Sequence, residues 1–408
     1  MSVEKNVPEI RFKGFGGEWV ENNLGGLAEI VRGASPRPIE DPKWFDKSSN
    51  VGWLRIRDVT EQDGRIHYLE QRISKLGQEK TRVLFDQNLL LSIAASVGKP
   101  VINYVETGVH DGFLIFKKPR FELEFMYQWL KSFELEWQQY GQPGSQVNLN
   151  SDIVKNQVVF TPCEKEQTAI GNTFQKLDSL INQHQQKHDK LSNIKKAMLE
   201  KMFPKQGETI PEIRLKGFSG EWVESSIGEI CGATFGGGTP STNEKDFWQG
   251  EIPWIQSSDV KDGIVSSVTA KKYITKSAVN KSATKLISGN SIAIVTRVGV
   301  GKISLMQDEY ATSQDFLSLS DLKIDSQYAV YVIWKQLQIE KEQVQGTSIK
   351  GITKDELLGK FINYPETEEE QTAIGNYFQK LDALINQHQQ QISKLNNIKQ
   401  ACLSKMFV

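Results

Sequence analysis

The sequence contains one long stretch twice, and this repeat constrains the fold more than any other feature. Residues 164–203 and 368–407 align without a gap and are identical at 30 of 40 positions. A shorter pair, residues 8–21 and 211–224, is identical at 12 of 14 positions. The two pairs lie 204 and 203 residues apart, so the chain is two tandem copies of one unit. Such a duplication can build pseudo-two-fold symmetry within a single chain.

Each long repeat has the pattern of a coiled-coil helix. Its apolar residues follow steps of three and four, which form one stripe on a helix. At ~1.5 Å per residue, a helix of this length extends roughly 60 Å, so we expect it to pair with another helix. The predicted interface residues are Ile170, Phe174, Leu177, Ile181, His184, Leu191, Ile374, Phe378, Leu381, Ile385, His388 and Leu395.

The apolar stripe is interrupted near the middle of both helices, at His184 and His388. In an antiparallel pair of similar helices the two midpoints meet, and a polar contact there can fix register and orientation. We therefore predict an intramolecular antiparallel coiled coil with its polar centres facing. The alternative, two solvated histidines, is equally compatible with the sequence. A metal role for them is disfavoured.

The segments before the two helices predict globular domains of mixed α+β type, with short strands and many loops. Related landmarks recur in both: residues 33–36 and 237–240 are turn-like, and residues 53–59 resemble residues 254–260. We predict a first domain at 1–163, a helix at 164–203, a second domain at 204–367 that starts with a linker at 204–211, and a second helix at 368–408.

Composition narrows the range of functions. The chain has 408 residues, a formal net charge of −1 and three widely spaced cysteines, which favours a reducing cytoplasm over a disulfide framework or a zinc site. No apolar run is long enough to predict a membrane span. The sequence also lacks a complete P-loop, a GxSxG motif, a nuclease-type Glu-x-Lys and an Asn-Pro-Pro-aromatic methyltransferase motif. We therefore predict a non-catalytic protein without a metal.

The two globular domains differ most in their arginines. The first has a group of them, and the aligned positions of the second carry mostly Gln, Ser, Thr and Lys. Bidentate Arg suits guanine, Asn and Gln suit adenine, and Ser or Thr is permissive. Two domains that share one fold and recognise different base sequences would differ in this way. Alternatively, the arginines are scattered surface charges with no role in DNA recognition. The first-domain arginines are Arg32, Arg37, Arg55, Arg57, Arg65, Arg72 and Arg82.

The motif EQTAIGNxFQKLDxLI, at residues 166–181 and again at 370–385, and the GEW segments at 17–19 and 220–222 carry a family resemblance. Over essentially its whole length the chain resembles the specificity (S) subunit of type I restriction-modification enzymes. The resemblance implies two target-recognition domains, each reading half of a bipartite, asymmetric site on double-stranded DNA. It implies that the helices space the two halves. It also implies two methyltransferase (M) subunits and restriction (R) subunits as partners, which would carry S-adenosylmethionine, ATP and magnesium.

Base contacts are expected from loops that vary between the copies. The expected DNA-binding residues are Arg37, Arg55, Arg57, Lys99, Ser145, Gln146, Asn148, Thr239, Ser257, Ser258, Arg297, Lys302, Ser348 and Lys350. Two other readings stay open at this point. One is a duplicated coiled-coil scaffold whose variable heads bind proteins or glycans, and the other is a lone methyltransferase. Steep weakening of binding with salt would distinguish DNA from the other ligands.

Overall fold

The computed structural model describes residues 6–94, 97–140, 149–266, 268–343 and 351–408. The chain forms two compact units. Unit 1 comprises Met1–Gln183 and Gln391–Val408, and unit 2 comprises His184–Gln390. Each unit thus contains one globular domain, half of the central long helix and half of the C-terminal one.

The first half of the chain contains many short elements and one long helix. In chain order they are β1 (Val20–Asn23), α1 (Leu24–Leu27), β2 (Glu29–Arg32), β3 (Gly52–Leu54), α2 (Ile56–Glu61), β4 (Arg65–Ile66), α3 (Lys75–Gln78), β5 (Arg82–Leu84), β6 (Leu89–Ser92), β7 (Pro100–Asn103), β8 (Thr107–Val109), β9 (Phe113–Lys117), α4 (Leu123–Ser132), α5 (Glu134–Trp137), α6 (Ser151–Asn156), β10 (Val158–Thr161) and α7 (Glu164–Lys201), with 3₁₀ turns at Pro42–Trp44 and Gln138–Tyr140.

The second half repeats this plan with fewer elements. They are β11 (Val223–Ser226), β12 (Cys231–Gly236), β13 (Ile252–Ile255), β14 (Lys272–Ile274), α8 (Lys276–Asn280), β15 (Ser291–Val295), β16 (Ile303–Met306), β17 (Ala311–Thr312), β18 (Phe316–Leu322), α9 (Ser326–Gln343), α10 (Lys354–Leu358), β19 (Phe361–Tyr364) and α11 (Glu368–Lys405), with a 3₁₀ turn at Lys245–Trp248.

In unit 1 a five-stranded sheet, ordered β2-β9-β6-β7-β4, lies between a helical layer and a three-stranded sheet, ordered β3-β8-β5. The central strand β6 is buried along its whole length, as its unbroken Leu-Leu-Leu run predicts. Successive side chains of a strand point to opposite faces. Leu89 and Leu91 accordingly pack with Met126 and Leu130 of α4, and Leu90 packs with Leu54 and Val109 on the other face.

Unit 2 uses the same arrangement with a four-stranded sheet, β12-β18-β15-β16, and a three-stranded sheet, β14-β13-β17. On β15, Ile292 and Ile294 face the core under α9, while Ala293 and Val295 face the smaller sheet. In both units the short strand that follows the first turn pairs in parallel with its partner, Trp53 opposite Gly108 and Trp254 opposite Ala311. The two domains are therefore one fold, and aligned loops occupy equivalent places.

A two-stranded antiparallel sheet brings the start of each domain to the base of its helix. It pairs β1 with β10 in unit 1 and β11 with β19 in unit 2. The short repeat reinforces it: Arg11 makes two bonds of 2.7 Å to the buried Glu166 of α7, and Arg214 makes the same two to Glu370 of α11. The repeated Arg and Glu thus form the same largely buried ion pair, here called the clasp, in each unit.

The next repeated residues hold the domain on the helix. The side-chain oxygen of Gln167 accepts from the backbone of Glu122 at 2.9 Å, and Gln371 does the same for Asp325 at 2.8 Å. At Gly171 an added Cβ would lie 2.5 Å from the Glu122 carboxylate and 3.1 Å from a backbone nitrogen of α4. The glycine therefore permits α4 to approach α7 closely.

Within each unit the start of one long helix lies against the end of the other. In unit 1 the rings of Phe174 and Phe407 stack at 5.9 Å, and in unit 2 those of Phe378 and Phe203 stack at 5.7 Å. The helix halves are therefore antiparallel, because residues early in one helix meet residues late in the other. The predicted fold class, mixed α/β domains that are each followed by a long pairing helix, is confirmed. Within the described residues no helix is both long and apolar enough to cross a bilayer.

Candidate nucleic-acid interface

The first variable loop of unit 1, residues 33–37, is closed by a carboxylate. Gly33 and Ala34 donate backbone hydrogen bonds to Phe113 and Val109. Ser35 Oγ then donates to Asp111 Oδ1 at 2.8 Å, and Arg37 Nη2 lies 2.7 Å from Asp111 Oδ2. Burial opposes ionisation of Asp111, but the hydrogen bond from Ser35 and the charges of Arg37, Arg32 and His110 together hold its pKa below its ordinary value. Arg37 keeps 72 % of its side chain exposed, so it projects from the loop while remaining oriented.

The equivalent loop of unit 2 keeps the geometry and changes the chemistry. Gly237 and Gly238 donate to Phe316 and Thr312, and Thr239 Oγ1 donates to the side-chain oxygen of Gln314. An added Cβ at Gly33 or Gly237 would lie about 2 Å from a carbonyl oxygen of the facing turn, so both loops require glycine. Compared with unit 1, Gln314 stands in place of Asp111 and Thr239 in place of Ser35. The backbone geometry is the same, but the negative charge of the carboxylate is absent.

Arg55 stabilises the turn that follows Trp53, through hydrogen bonds to Asp58. The carboxylate of Asp58 is buried, accepts from the Arg55 backbone at 2.8 Å, and also accepts from the Arg55 guanidinium at 2.9 Å. In unit 2 Asp259 accepts from the backbone of Gln256 at 3.0 Å, so the turn forms without an arginine. With only 30 % of its side chain exposed and a further contact to Glu70, the guanidinium of Arg55 is largely occupied within the domain.

The remaining described candidates differ in exposure. Arg57 is 70 % exposed and pairs with Glu61 on the same helix, and Ser258 and Arg297 are exposed. Lys302 is half-buried, and its Nζ donates to the backbone oxygen of Ser257 at 3.3 Å. The structure thus brings Lys302 and Ser257 together from positions 45 residues apart.

Lys99 lines a small pocket of about 50 Å³, which Asp63 and Lys131 also line. It is half-buried there. Five further candidates, Ser145, Gln146, Asn148, Ser348 and Lys350, fall outside the residues that the structure describes.

Comparison with known proteins assigns the family. The model of the type I restriction modification DNA specificity domain matches twice, at residues 16–193 and 219–397. The chain belongs to this family. The resemblance stated from the repeated motifs is thereby confirmed. Each match takes in one globular domain and most of the helix that follows it.

Two relatives with similar sequences are also specificity subunits. A type I restriction enzyme EcoR124I/EcoR124II specificity subunit from Escherichia coli is 34% identical over 174 residues, which is 41% of this chain and 42% of that protein. The MjaIX specificity subunit from Methanocaldococcus jannaschii is 27% identical over 195 residues, 46% of this chain and 44% of that one. The aligned stretches therefore span less than half of either relative.

The fold of this specificity-domain protein is found among solved structures. The crystal structure of an S subunit of a type I restriction-modification system from M. genitalium superimposes with a TM-score of 0.67. That likeness covers 98% of this chain and 99% of the other at 13% sequence identity, so it concerns the fold.

The predicted helix residues are all buried or half-buried. Ile170, Phe174, Ile374, Phe378 and Leu381 are buried. The others are half-buried: Leu177, Ile181, His184, Leu191, Ile385, His388 and Leu395. His184 and His388 meet in unit 2, with their Nδ1 atoms 2.9 Å apart. Burial and the charges of His184 and Lys187 lower the pKa of His388.

Sequence reasoning missed several polar residues that organise the specificity domains. Asp111 and Gln314, which close the first variable loops, went unnoticed, although aligning the two copies places them opposite each other. The charged pairs Asp178–Lys399, 2.6 Å, and Lys195–Asp382, 2.5 Å, also went unnoticed. The sequence did contain a sign of these pairs, because both long repeats carry an Asp and a Lys at the same two positions.

Proposed function

We propose that the chain is the DNA sequence-specificity subunit of a type I restriction-modification complex. Its two globular domains each read one half of a bipartite, asymmetric site on double-stranded DNA. One observation carries the proposal: the DNA specificity domain matches twice in one chain. A single chain with two such domains suits a target with two different halves. The same observation favours DNA over proteins or glycans as the ligand of the variable heads.

The loops that close around Asp111 and Gln314 support base reading. They share backbone geometry and differ in the groups they present, Arg37 with a carboxylate in unit 1 and Thr239 with an amide in unit 2. Arg pairs well with guanine edges and Gln with adenine edges. Two loops of similar shape that present different side-chain groups would select different bases. Arg55 contributes by shaping its turn rather than by contacting a base.

Phosphate contacts in this proposal come from cations that project from the same domains. Four such cations are exposed or half-buried: Arg57 on helix α2, and Arg297, Lys99 and Lys302 on loops and turns. The overall formal charge is only −1, so attraction to DNA is local. Such contacts fix orientation and carry no sequence information themselves.

Repeated exposed apolar side chains support docking of two copies of one partner. Leu180 and Leu384, at equivalent positions of the two helices, are 42% and 44% exposed. Ile10 and Ile213 repeat this in the short repeat, at 45% and 37%. Identical surfaces on otherwise divergent units suit identical partners, and the methyltransferase (M) subunits are the proposed ones. The paired helices would set the spacing between the half-sites.

We infer that this subunit is non-catalytic and works in the cytoplasm, where its DNA target lies. Methyl transfer from S-adenosylmethionine would take place on the M subunits. ATP and magnesium would be used by the restriction (R) subunits. The specificity subunit would select the DNA sequence at which those partners act.

The proposal is tested by co-expressing the chain with a cognate M subunit and mapping methylated adenines across the host genome. We expect one bipartite motif with two unlike halves and a fixed gap. Binding of the purified complex to that motif should fall by about 10³–10⁵ between 50 and 200 mM salt if six to ten phosphates are contacted. Methylation at a single contiguous motif, or binding that ignores salt, would contradict it.

A further inference from the structure

The two long helices present the same charged pair to each globular domain. Asp178 lies 2.6 Å from Lys399 in unit 1, and Asp382 lies 2.5 Å from Lys195 in unit 2. All four side chains are less than one-fifth exposed. A domain that packs on this pair must therefore satisfy one carboxylate and one ammonium in a poorly hydrated place.

The domain of unit 1 adds an ion pair of its own. Arg65 Nη2 lies 3.0 Å from Asp178, and its Nη1 donates to Glu124 at 2.9 Å. Gln128 Nε2 connects the two carboxylates, at 2.9 Å from Glu124 and 3.2 Å from Asp178. The guanidinium also lies over the ring of Tyr127, 4.5 Å from its centre. Two cations and two carboxylates thus form one neutral, buried group.

In unit 2 neutral residues stand at the two positions that Arg65 and Glu124 occupy in unit 1. The turn that carries Arg65 has its counterpart in unit 2, because Gly64 and Gly263 both have a φ of 75°. The residue after that glycine is Ile264. At the start of the covering helix, Glu122 and Asp325 cap the equivalent residues Phe125 and Tyr328. The residue at the Glu124 position is therefore Gln327.

Neutral groups complete the arrangement in unit 2. Tyr331, at the Gln128 position, donates its hydroxyl to Asp382 at 2.7 Å. Lys195 bonds to Asp382 and donates to the backbone of Gly263 at 3.0 Å. Ile264 and Lys195 also border a cleft of about 1030 Å³ between the domain and the helices. Neither Arg nor Glu is present at these two positions of unit 2, so the group of Lys195 and Asp382 is neutral.

We propose that Arg65 and Glu124 are a matched pair of positioning residues that set the orientation of the first recognition domain on its helix pair. Ile264 and Gln327 are the neutral version of that pair. Loss of either charge alone leaves an uncompensated charge beside Asp178 and Lys399, and the domain must move or hydrate to relieve it. Loss of both reproduces the chemistry of unit 2. The consequence for base reading rests on the proposed function, whereas the pairing itself does not.

The pairing is tested by a double-mutant cycle on the full chain, with calorimetric melting as the readout. Arg65→Ile and Glu124→Gln should each lower the midpoint of unit 1 by about 6–20 °C. The double variant Arg65→Ile/Glu124→Gln should recover more than half of that loss. Glu29→Gln, which removes a carboxylate that is 55 % exposed, serves as the control and should shift it little. A double variant whose loss equals the sum of the single losses would overturn the pairing.

Unit 2 offers the reciprocal experiment. Ile264→Arg alone should lower the melting midpoint of unit 2, and Ile264→Arg/Gln327→Glu should be tolerated better than the single variant. Equal losses in the two variants would count against the matched pair. This arm also guards against the case in which a unit 1 variant fails to fold.

Positioning is separated from bulk stability by a specificity readout with the M subunit present. Discrimination against one mismatched pair is ordinarily about 5–150-fold. For the single variants it should shrink several-fold at the half-site read by the first domain and stay unchanged at the other, with recovery in the double variant. Equal loss at both half-sites would show a merely structural role. If the wild type methylates no bipartite site, the proposed function fails, and the melting cycle still decides the pairing.

Discussion

The Arg11–Glu166 clasp provides the sharpest test of how the repeats hold the fold. Glu166 is 1% exposed and Arg11 15%, with two bonds of 2.7 Å between them. Arg11→Met leaves the carboxylate buried without its counter-charge, which costs about 3–5 kcal/mol. With a urea dependence of about 3 kcal/mol/M, the unfolding midpoint of unit 1 should fall by roughly 1–2 M.

The clasp prediction has matched controls within the chain. Arg214→Met should produce the same loss in unit 2, because Arg214 and Glu370 repeat the geometry. Arg57→Met removes a pair that is 70 % and 41 % exposed and should cost at most about 1 kcal/mol. The double variant Arg11→Met/Glu166→Met should recover much of the loss, since no buried charge remains. An Arg11→Met loss no larger than that of Arg57→Met would refute the reasoning.

Three further outcomes follow from packing and from pKa shifts. Gly171→Ala should lower the melting midpoint, because its Cβ would meet α4, while Gly26→Ala, with open space around it, should not; equal effects would contradict the close approach. The pKa of His388 is lowered, so the stability it contributes is present above about pH 6.5 and is lost as pH falls; a His388→Gln variant that destabilises in parallel with the wild type on acidification would refute this. Burial lowers the pKa of Lys335 to about 8, so wild-type stability should rise between about pH 8 and 10.5 relative to Lys335→Met, measured by urea unfolding at each pH.

Much of the architecture could be predicted from the sequence because it is written in periodic patterns. The three-and-four spacing of Phe174 and Leu177 reports the buried face of a helix, and the equivalent spacing around Phe378 reports the other. The unbroken apolar run at 89–91 marks a central strand. These patterns are local, so they are legible without knowing the tertiary contacts.

The polar contacts could not be predicted in the same way because they join distant residues. Ser35 and Asp111 are 76 positions apart, and Arg65 and Asp178 are 113 apart. The sequence predicts Arg55 as a DNA-binding residue. Only the geometry of its turn shows that its guanidinium and backbone donate hydrogen bonds to Asp58. The pair of Asp178 and Lys399 was not predicted, since the sequence alone does not show that the two side chains meet in an enclosed place.

Replacement of the second globular domain by a copy of the first tests the central claim most directly. The variant would carry residues 1–163 ahead of both long helices, in place of residues 204–367 ahead of the C-terminal one, and methylated adenines would be mapped after co-expression with the M subunit. The account predicts a motif in which the half-site of the first domain occurs twice, once in each half, with the gap retained. A motif identical to that of the wild type, from a variant that folds and methylates, would contradict it.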